Sequence, residues 1–198
     1  MDEGYVKFNC NWVRAGSVSE KAVTQINHWR DKLYDLGLIG VNNEGVGFGN
    51  ISIRSGKGEF IITGTATGNY KRLDNSHYVL VNEYNFPMNS LTCTGPVRAS
   101  SESLTHAAIY ECSTETNAVI HVHNLNIWER LIDKVPTTSH LVLYGTPEMA
   151  GEIKRLFEET AVSSEKILVM GGHREGIISF GSTLEEAAKI LLERISRP

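Results

Sequence analysis

The sequence predicts an α/β protein built on a mixed sheet with helices on its faces. Three observations predict it. Segments of helical period and segments of strand period interleave along the chain. Several strands are joined by connections too short for a crossover, which requires antiparallel pairing. No repeat, low-complexity tract or Pro/Ser-rich linker interrupts the pattern, so one domain spanning residues 1–198 is expected.

The elements follow in order. Ala22, Ile26, Trp29, Leu33 and Leu36 fall at helical spacing and predict a helix over 18–36, with Ser17 and Glu20 as a capping box and Gly37 as its stop. Gly45, Gly47 and Gly49 punctuate a loop before a short strand at 50–54. Strands at 59–63 and 78–82 flank the small-residue loop Gly64-Thr65-Ala66-Thr67-Gly68. A helix is expected over 101–112, a strand over 118–123, a helix over 126–133 and a strand over 140–144. Thr146 as N-cap and Pro147 at the first helical position open a helix to about residue 160. Strands at 166–170 and 176–180 surround Gly171-Gly172-His173-Arg174-Glu175. A last helix starts at Thr183, with Glu186 completing a second capping box.

Composition narrows the function. The chain is 41% hydrophobic and 21% charged, an ordinary globular balance. At 198 residues, roughly 70% of the unfolded surface can be buried without help from disulfides. Nineteen Lys and Arg against 23 Asp and Glu give a net charge of −4 with no basic run. Nucleic acid and anionic membrane surfaces are therefore not expected partners. Cys10, Cys93 and Cys112 form no CxxC pair, so neither a thiolate zinc site nor a disulfide framework is indicated. The acidic N-terminus does not read as a secretory signal, and no apolar run approaches the ~20 residues that span a bilayer. The expected location is the cytoplasm.

The residues that could carry chemistry start with His121-Val122-His123. On a strand, Val119, His121 and His123 share one face and Ala118, Ile120 and Val122 the other. The second face is aliphatic and suits a core. The first places two imidazoles about 6.6 Å apart along the strand, from where they can lean onto one ion with the ~2.0–2.1 Å bonds that zinc requires. Two half-buried histidines satisfied by neighbours would read the same way. His173, in a glycine-flanked turn, is the candidate third ligand, and Glu175 competes with it as an oxygen ligand. His28, His77, His106 and His140 have no such pairing and read as structural or supporting. Ser100-Ser101-Glu102 lies at a helix start, where exposed amides favour anions; ordinary capping gives the same sequence. Together with Gly49-Asn50 and the loop ending in Thr67-Gly68, these small, hydroxyl-rich stretches could cradle a phosphate or a carboxylate.

In their order along the chain, these pieces resemble the class II aldolase/adducin family. Gly49-Asn50-Ile51-Ser52-Ile53-Arg54 is similar to its GNxSxR segment, Ile62 through Gly68 to its ITxTG loop, and Ser100-Ser101-Glu102 to its SSE helix, with His106 one turn later. Ala118 through His123 is similar to its AVxHxH strand, Tyr144-Gly145-Thr146-Pro147-Glu148 to its next helix start, and Gly181 with Leu184-Glu185-Glu186-Ala187 to its closing helix. The resemblance runs from about residue 20 to the end.

It implies a three-layer α/β/α sandwich around a mostly antiparallel sheet. It implies that His121, His123 and His173 hold a divalent metal, zinc above others, that Asn50, Thr67, Gly68, Ser100 and Ser101 bind the substrate phosphate, and that Glu102 is the acid/base. The implied activity is a metal-dependent aldolase, a lyase cleaving a small phosphorylated keto sugar or related aldol through an enediolate. An epimerase or dehydratase on the same site, or a non-catalytic adducin-like module, are the alternatives. A homotetramer is the implied assembly. Two departures stand out. The family usually has His directly followed by Gly at the third ligand, and a gapless alignment would put Glu175 there; His173 is preferred because imidazole completes a neutral triad. The segment 136–144 is shorter than the one in which sugar-phosphate aldolases carry a proton-donating tyrosine, and His140 is the only nearby substitute.

Overall fold

The computed structural model describes residues 6–196. In chain order the elements are β1 (Asn9–Arg14), α1 (Glu20–Asp35), β2 (Gly40–Val41), β3 (Gly47–Phe48), β4 (Asn50–Gly56), β5 (Glu59–Thr63), β6 (Tyr78–Asn85), β7 (Ser90–Gly95), α2 (Ser103–Cys112), β8 (Ala118–His123), α3 (Leu125–Leu131), α4 (Pro147–Glu159), α5 (Val162–Glu165), β9 (Ile167–Val169), β10 (Gly176–Gly181) and α6 (Leu184–Ser196). Eight strands form one sheet in the order β1-β7-β6-β5-β4-β8-β10-β9. Only the β1–β7 pair is parallel; every other pairing in that sheet is antiparallel. The strands β2 and β3 make a small separate hairpin.

Strand alternation divides the core into two layers. On one face, Phe60, Ile62, Val79, Val81, Val119, Leu168, Ile178 and Phe180 pack against α2 and α4 through Leu104, Ala108, Met149, Ile153 and Leu156. On the other, Ile61, Tyr78, Ala118, Ile120, Val122, Ile167, Val169 and Ile177 pack against α1, α3 and α6 through Ile26, Leu33, Ile127, Ala187 and Leu191. This is the three-layer sandwich that the resemblance implies. One cap is as expected and the second box forms only in half. The Thr146 hydroxyl accepts from the Met149 amide, with Pro147 at N1. The Thr183 hydroxyl accepts from the Glu186 amide, while the Glu186 carboxylate reaches one residue further back, to the Ser182 amide and hydroxyl.

Three expectations need correction. The Ser17–Glu20 capping box does not form: α1 starts at Glu20, its N-cap is Ser19, and no side-chain cap bond is made. Residues 140–144 are not a strand. After Thr138 the chain turns, with the Val142 amide on the Ser139 carbonyl, and crosses over Gly171 and Gly172 instead of extending the sheet beyond β9. A Cβ on Gly172 would lie 2.1 Å from the Val142 carbonyl oxygen, so the two backbones meet where only glycine fits. The apolar residues Leu141 and Leu143 face outward there. Third, the sheet has two strands without a local sequence signal, β1 and β7. Only alternate residues are covered: Cys10 and Trp12 are half-buried on one, and Leu91, Cys93 and Gly95 are buried on the other.

Ile120 is fully buried at the centre of the sheet. Ile120→Ala is expected to cost about 2–5 kcal/mol in chemical denaturation, the usual range for a large-to-small core change. A cost under about 1 kcal/mol would contradict the packing described.

Candidate metal centre and active site

The second face of β8 carries the site. Val119 packs under α2, but α2 ends before it covers His121 and His123. Those two side chains, together with His173 from the turn between β9 and β10, form a buried cluster in which one ring nitrogen from each lies within 4.8 Å of the other two. The ring centroids are 4.9 Å apart for His121–His123, 5.4 Å for His121–His173 and 4.7 Å for His123–His173. The exposures of the three are 1%, 5% and 6%. Gly176, opposite His123 on β10, leaves room for them: a Cβ there would stand 3.3 Å from His121 Nε2. Phe48 stacks on His123 and Tyr144 on His173, walling the cluster with aromatic rings.

The donor set fits a divalent metal. His121 Nε2 is buried without a hydrogen-bond partner, a cost that a bound cation would remove. Burial first, and then the neighbouring His123, His173 and His106, push the His121 pKa well below its usual 6.5, so the ring is neutral and its lone pair is available. Asn50 pairs with His121 across β4 and β8, and its Nδ2 lies 3.4 Å from His121 Nδ1. The Asn50 Oδ1 has no partner. A half-turn of that amide would let Oδ1 accept the Nδ1 proton and leave Nε2 free to bind a metal.

Glu102 stands at the N-cap of α2, 2% exposed. Its side chain does not cap the helix; it turns toward the histidines, with Oε1 3.2 Å from His173 Nδ1 and Oε2 accepting a 2.7 Å bond from the Thr105 hydroxyl. The two loops ahead of it are tied together by the Gly64–Ala99 bridge and the Thr65 amide on the Arg98 carbonyl. That junction carries Thr67 and Gly68 to the same place as Ser100 and Ser101. One pocket is lined by Asn50, Thr67, Gly68, Ser100, Ser101, Glu102, His121, His123 and His173, together with Phe48 and Tyr144. The three histidines, Glu102 and the five candidate anion contacts thus face one space.

The competing ligand does not reach it. Glu175 has φ +76°, gives its carbonyl to the Asn124 amide and lines a neighbouring crevice with Asn42 to Glu44 on the other side of Phe48 and His123, outside the three-histidine group. His140 is not a substitute at the pocket either: it lies on the exposed turn, 3.2 Å from Asp133 Oδ1. Tyr144 is the residue of that segment that lines the pocket. Sequence reading missed Phe48 and Tyr144 as walls: Phe48 lies in a glycine-punctuated loop, and Tyr144 closes the expected 140–144 strand that does not form. His28 and His77 lie outside the pocket, on Lys32 and Asp74. His106 is buried behind the cluster, bonded to the Ser52 hydroxyl at 2.7 Å.

Fold and site together define a class: a three-layer α/β/α protein whose central sheet carries an imidazole cluster able to hold a divalent metal. The chain belongs to the class II aldolase and adducin family, since the family model for the class II aldolase and adducin N-terminal domain matches residues 38–195. Solved structures show the same fold. An L-fuculose 1-phosphate aldolase is 19% identical with a TM-score of 0.67, over 90% of this chain and 83% of that one. A sugar-phosphate aldolase from Thermotoga maritima is 18% identical with a TM-score of 0.61, over 90% and 97%. YgbL from Escherichia coli, described only as an aldolase, epimerase or decarboxylase, is 15% identical with a TM-score of 0.64, over 88% and 84%. No curated protein matches the chain by sequence. Among the described residues, no helix is long and apolar enough to cross a membrane.

The buried histidines predict an acid sensitivity. Burial holds His106 down to about 3 and His121 well below 6.5. The unfolded chain takes up protons near 6.5, and the folded chain does not until the pH nears the lowered values. Metal-free protein therefore keeps its stability above pH 6.5 and loses it as the pH falls toward about 3. In urea titrations across this window, His106→Gln should flatten the acid limb by up to about 1.4 kcal/mol per pH unit. An unchanged slope would contradict the assignment of a neutral buried His106.

Proposed function

We propose that this protein is a divalent-metal-dependent lyase that cleaves a carbon–carbon bond in a small phosphorylated keto sugar or related aldol. One observation supports this most: the three-histidine cluster, Glu102 and the hydroxyl-lined loops open onto the same pocket. His121, His123 and His173 would hold the metal, with zinc the best match to three neutral imidazoles. Such an ion supplies Lewis acidity toward a substrate carbonyl oxygen and its neighbouring hydroxyl.

The rest of the work falls to the chain. Asn50, Thr67, Gly68, Ser100 and Ser101 bind the phosphate with neutral donors and so orient the substrate at a distance from the breaking bond. Thr105 fixes Oε2 of Glu102, which leaves Oε1 to hold or pass the proton at the carbon beside the carbonyl. Phe48 and Tyr144 keep water from the histidine face. A homotetramer in the cytoplasm, acting as one domain per chain, completes the reading.

The test is aldol cleavage of a panel of ketose 1-phosphates by zinc-loaded protein. Cleavage abolished by a chelator and restored by zinc is the expected result. Glu102→Gln should retain fold and metal while lowering kcat by about 10²–10⁴-fold, the usual contribution of a positioned acid/base. Full activity in that variant would remove Glu102 from the mechanism. Absence of cleavage across the panel, with proton exchange or epimerisation instead, would move the protein to the isomerising branch of the same chemistry.

A further inference from the structure

One buried charge has no part in the chemistry above. Arg30 is 1% exposed and heads the fully buried side chains by volume. It lies on the sheet-facing side of α1 with Val23, Ile26 and Leu33. Its guanidinium is directed at main chain: Nη1 donates to the Lys71 carbonyl at 2.6 Å, and Nη2 to the carbonyls of Thr67 at 3.3 Å and Tyr70. The nearest carboxylate oxygen given to it is Asp31 Oδ1 at 3.8 Å, and Asp31 also bridges Arg72 at 3.2 Å. The Asp31 pair is long and shared with Arg72, so it offsets only part of the desolvation cost of a cation buried against carbonyls. An aliphatic side chain at this core-facing position would avoid that cost.

What Arg30 holds is the wall of the pocket. Thr67 and Gly68 line it, and the next residues carry the carbonyls that Arg30 binds. On the far side, the loop cannot slip away: a Cβ on Gly68 would lie 2.1 Å from the Gly40 carbonyl oxygen and 2.8 Å from Gly47 Cα. One turn earlier on α1, Asn27 donates to the Leu73 carbonyl at 2.8 Å and extends the grip along the same segment. Among the described residues, no lysine or arginine lines the pocket itself. The pocket's donors toward an anion are therefore neutral, and the guanidinium bonded to the back of Thr67 is a cation directly behind them.

We propose that Arg30 is the positioning residue of the anion pocket: from behind the Thr67–Gly68 wall it fixes the register of the loop and supplies the positive field that a phosphate dianion requires, without touching the ligand. This rests on the reading of the pocket as a phosphate site. The physical basis is that a charge in a low-dielectric wall acts over several ångströms with little screening. Its rigid planar fork sets several carbonyls in a fixed geometry, which the rotating ammonium of a lysine does not impose.

The experiment is calorimetric titration of inorganic phosphate into zinc-loaded wild-type protein, Arg30→Met and Arg30→Lys, with zinc content and thermal midpoint measured on each. Ser101→Ala, which removes a pocket hydroxyl, marks the site of the phosphate. The expected result is a loss of phosphate affinity of about 10- to 100-fold in Arg30→Met, the size that misplacement of a binding wall produces, with zinc retained. Arg30→Lys, which keeps the charge but not the fork, should lose less. Wild-type phosphate affinity in Arg30→Met overturns the proposal, as does joint loss of zinc and phosphate in both variants, which would make Arg30 a general support of the fold. If Arg30→Met does not fold, Arg30→Lys decides: a several-fold loss supports the proposal and unchanged affinity overturns it. A wild type that binds no phosphate, or binds it regardless of Ser101, overturns the phosphate-site reading itself and this inference with it.

Discussion

The burial of three imidazoles, with one nitrogen of each within 4.8 Å of the others, is the constraint on which the rest of the structure depends. A histidine loses its charge when buried, and three together oppose protonation further. They cannot be covered by an aliphatic helix face either, because their ring nitrogens need partners. The fold resolves this by starting α2 only at Ser103, with Glu102 as its N-cap, so that the sheet face that is aliphatic at Val119 becomes polar at His121 and His123. The residues just ahead of the helix, Ser100 to Glu102, become a wall of the pocket.

The other walls follow from close backbone approach. Gly176 admits the imidazoles next to β10, and Gly68 and Gly47 let the Thr67 loop pass against the β2–β3 hairpin. The Gly64–Ala99 bridge ties that loop to the start of α2. Four segments far apart in sequence are thus fixed to one space by sheet register and glycine contacts, and each then presents a small polar side chain. A mobile loop could not hold such a constellation to the tolerance that catalysis requires.

Much of this was legible in the sequence, for identifiable reasons. The period-2 alternation of 118–123 places His121 and His123 on the face opposite Ile120, and the structure does the same. The β5 strand and the start of α4 also carried local signals strong enough to read, a compact apolar run and a Thr-Pro cap. The strands β1 and β7 bury alternate residues too, but Asn9, Asn11, Ser90 and Thr92 dilute the apolar signal and β1 is an edge. The HLVLY segment failed in the other direction. Its apolar run reads as a strand, yet the Gly171–Gly172 turn occupies the route that a ninth strand would take, so a tertiary contact overrides local preference.

Within the site, the choice of His173 over Glu175 could be argued only from charge neutrality. The backbone separates them: the left-handed Glu175 gives its carbonyl to Asn124 and lines the neighbouring crevice, while His173 lies in the three-histidine group. Arg30 had no sequence signal at all, because a lone arginine on a helix with apolar neighbours reads as a solvated side chain. Its partners are carbonyls of residues about 40 positions away, a relation that periodicity does not encode.

The proposed chemistry stands or falls with metal binding by the three histidines. Elemental analysis of purified protein, with X-ray absorption at the metal edge, tests it most directly when His121→Ala is measured beside it. The account predicts a single divalent ion per chain with imidazole nitrogens in its coordination shell, lost in His121→Ala while the far-ultraviolet circular dichroism is unchanged. A wild type that holds no metal even after incubation with zinc, or a His121→Ala variant that retains the full complement, would contradict it.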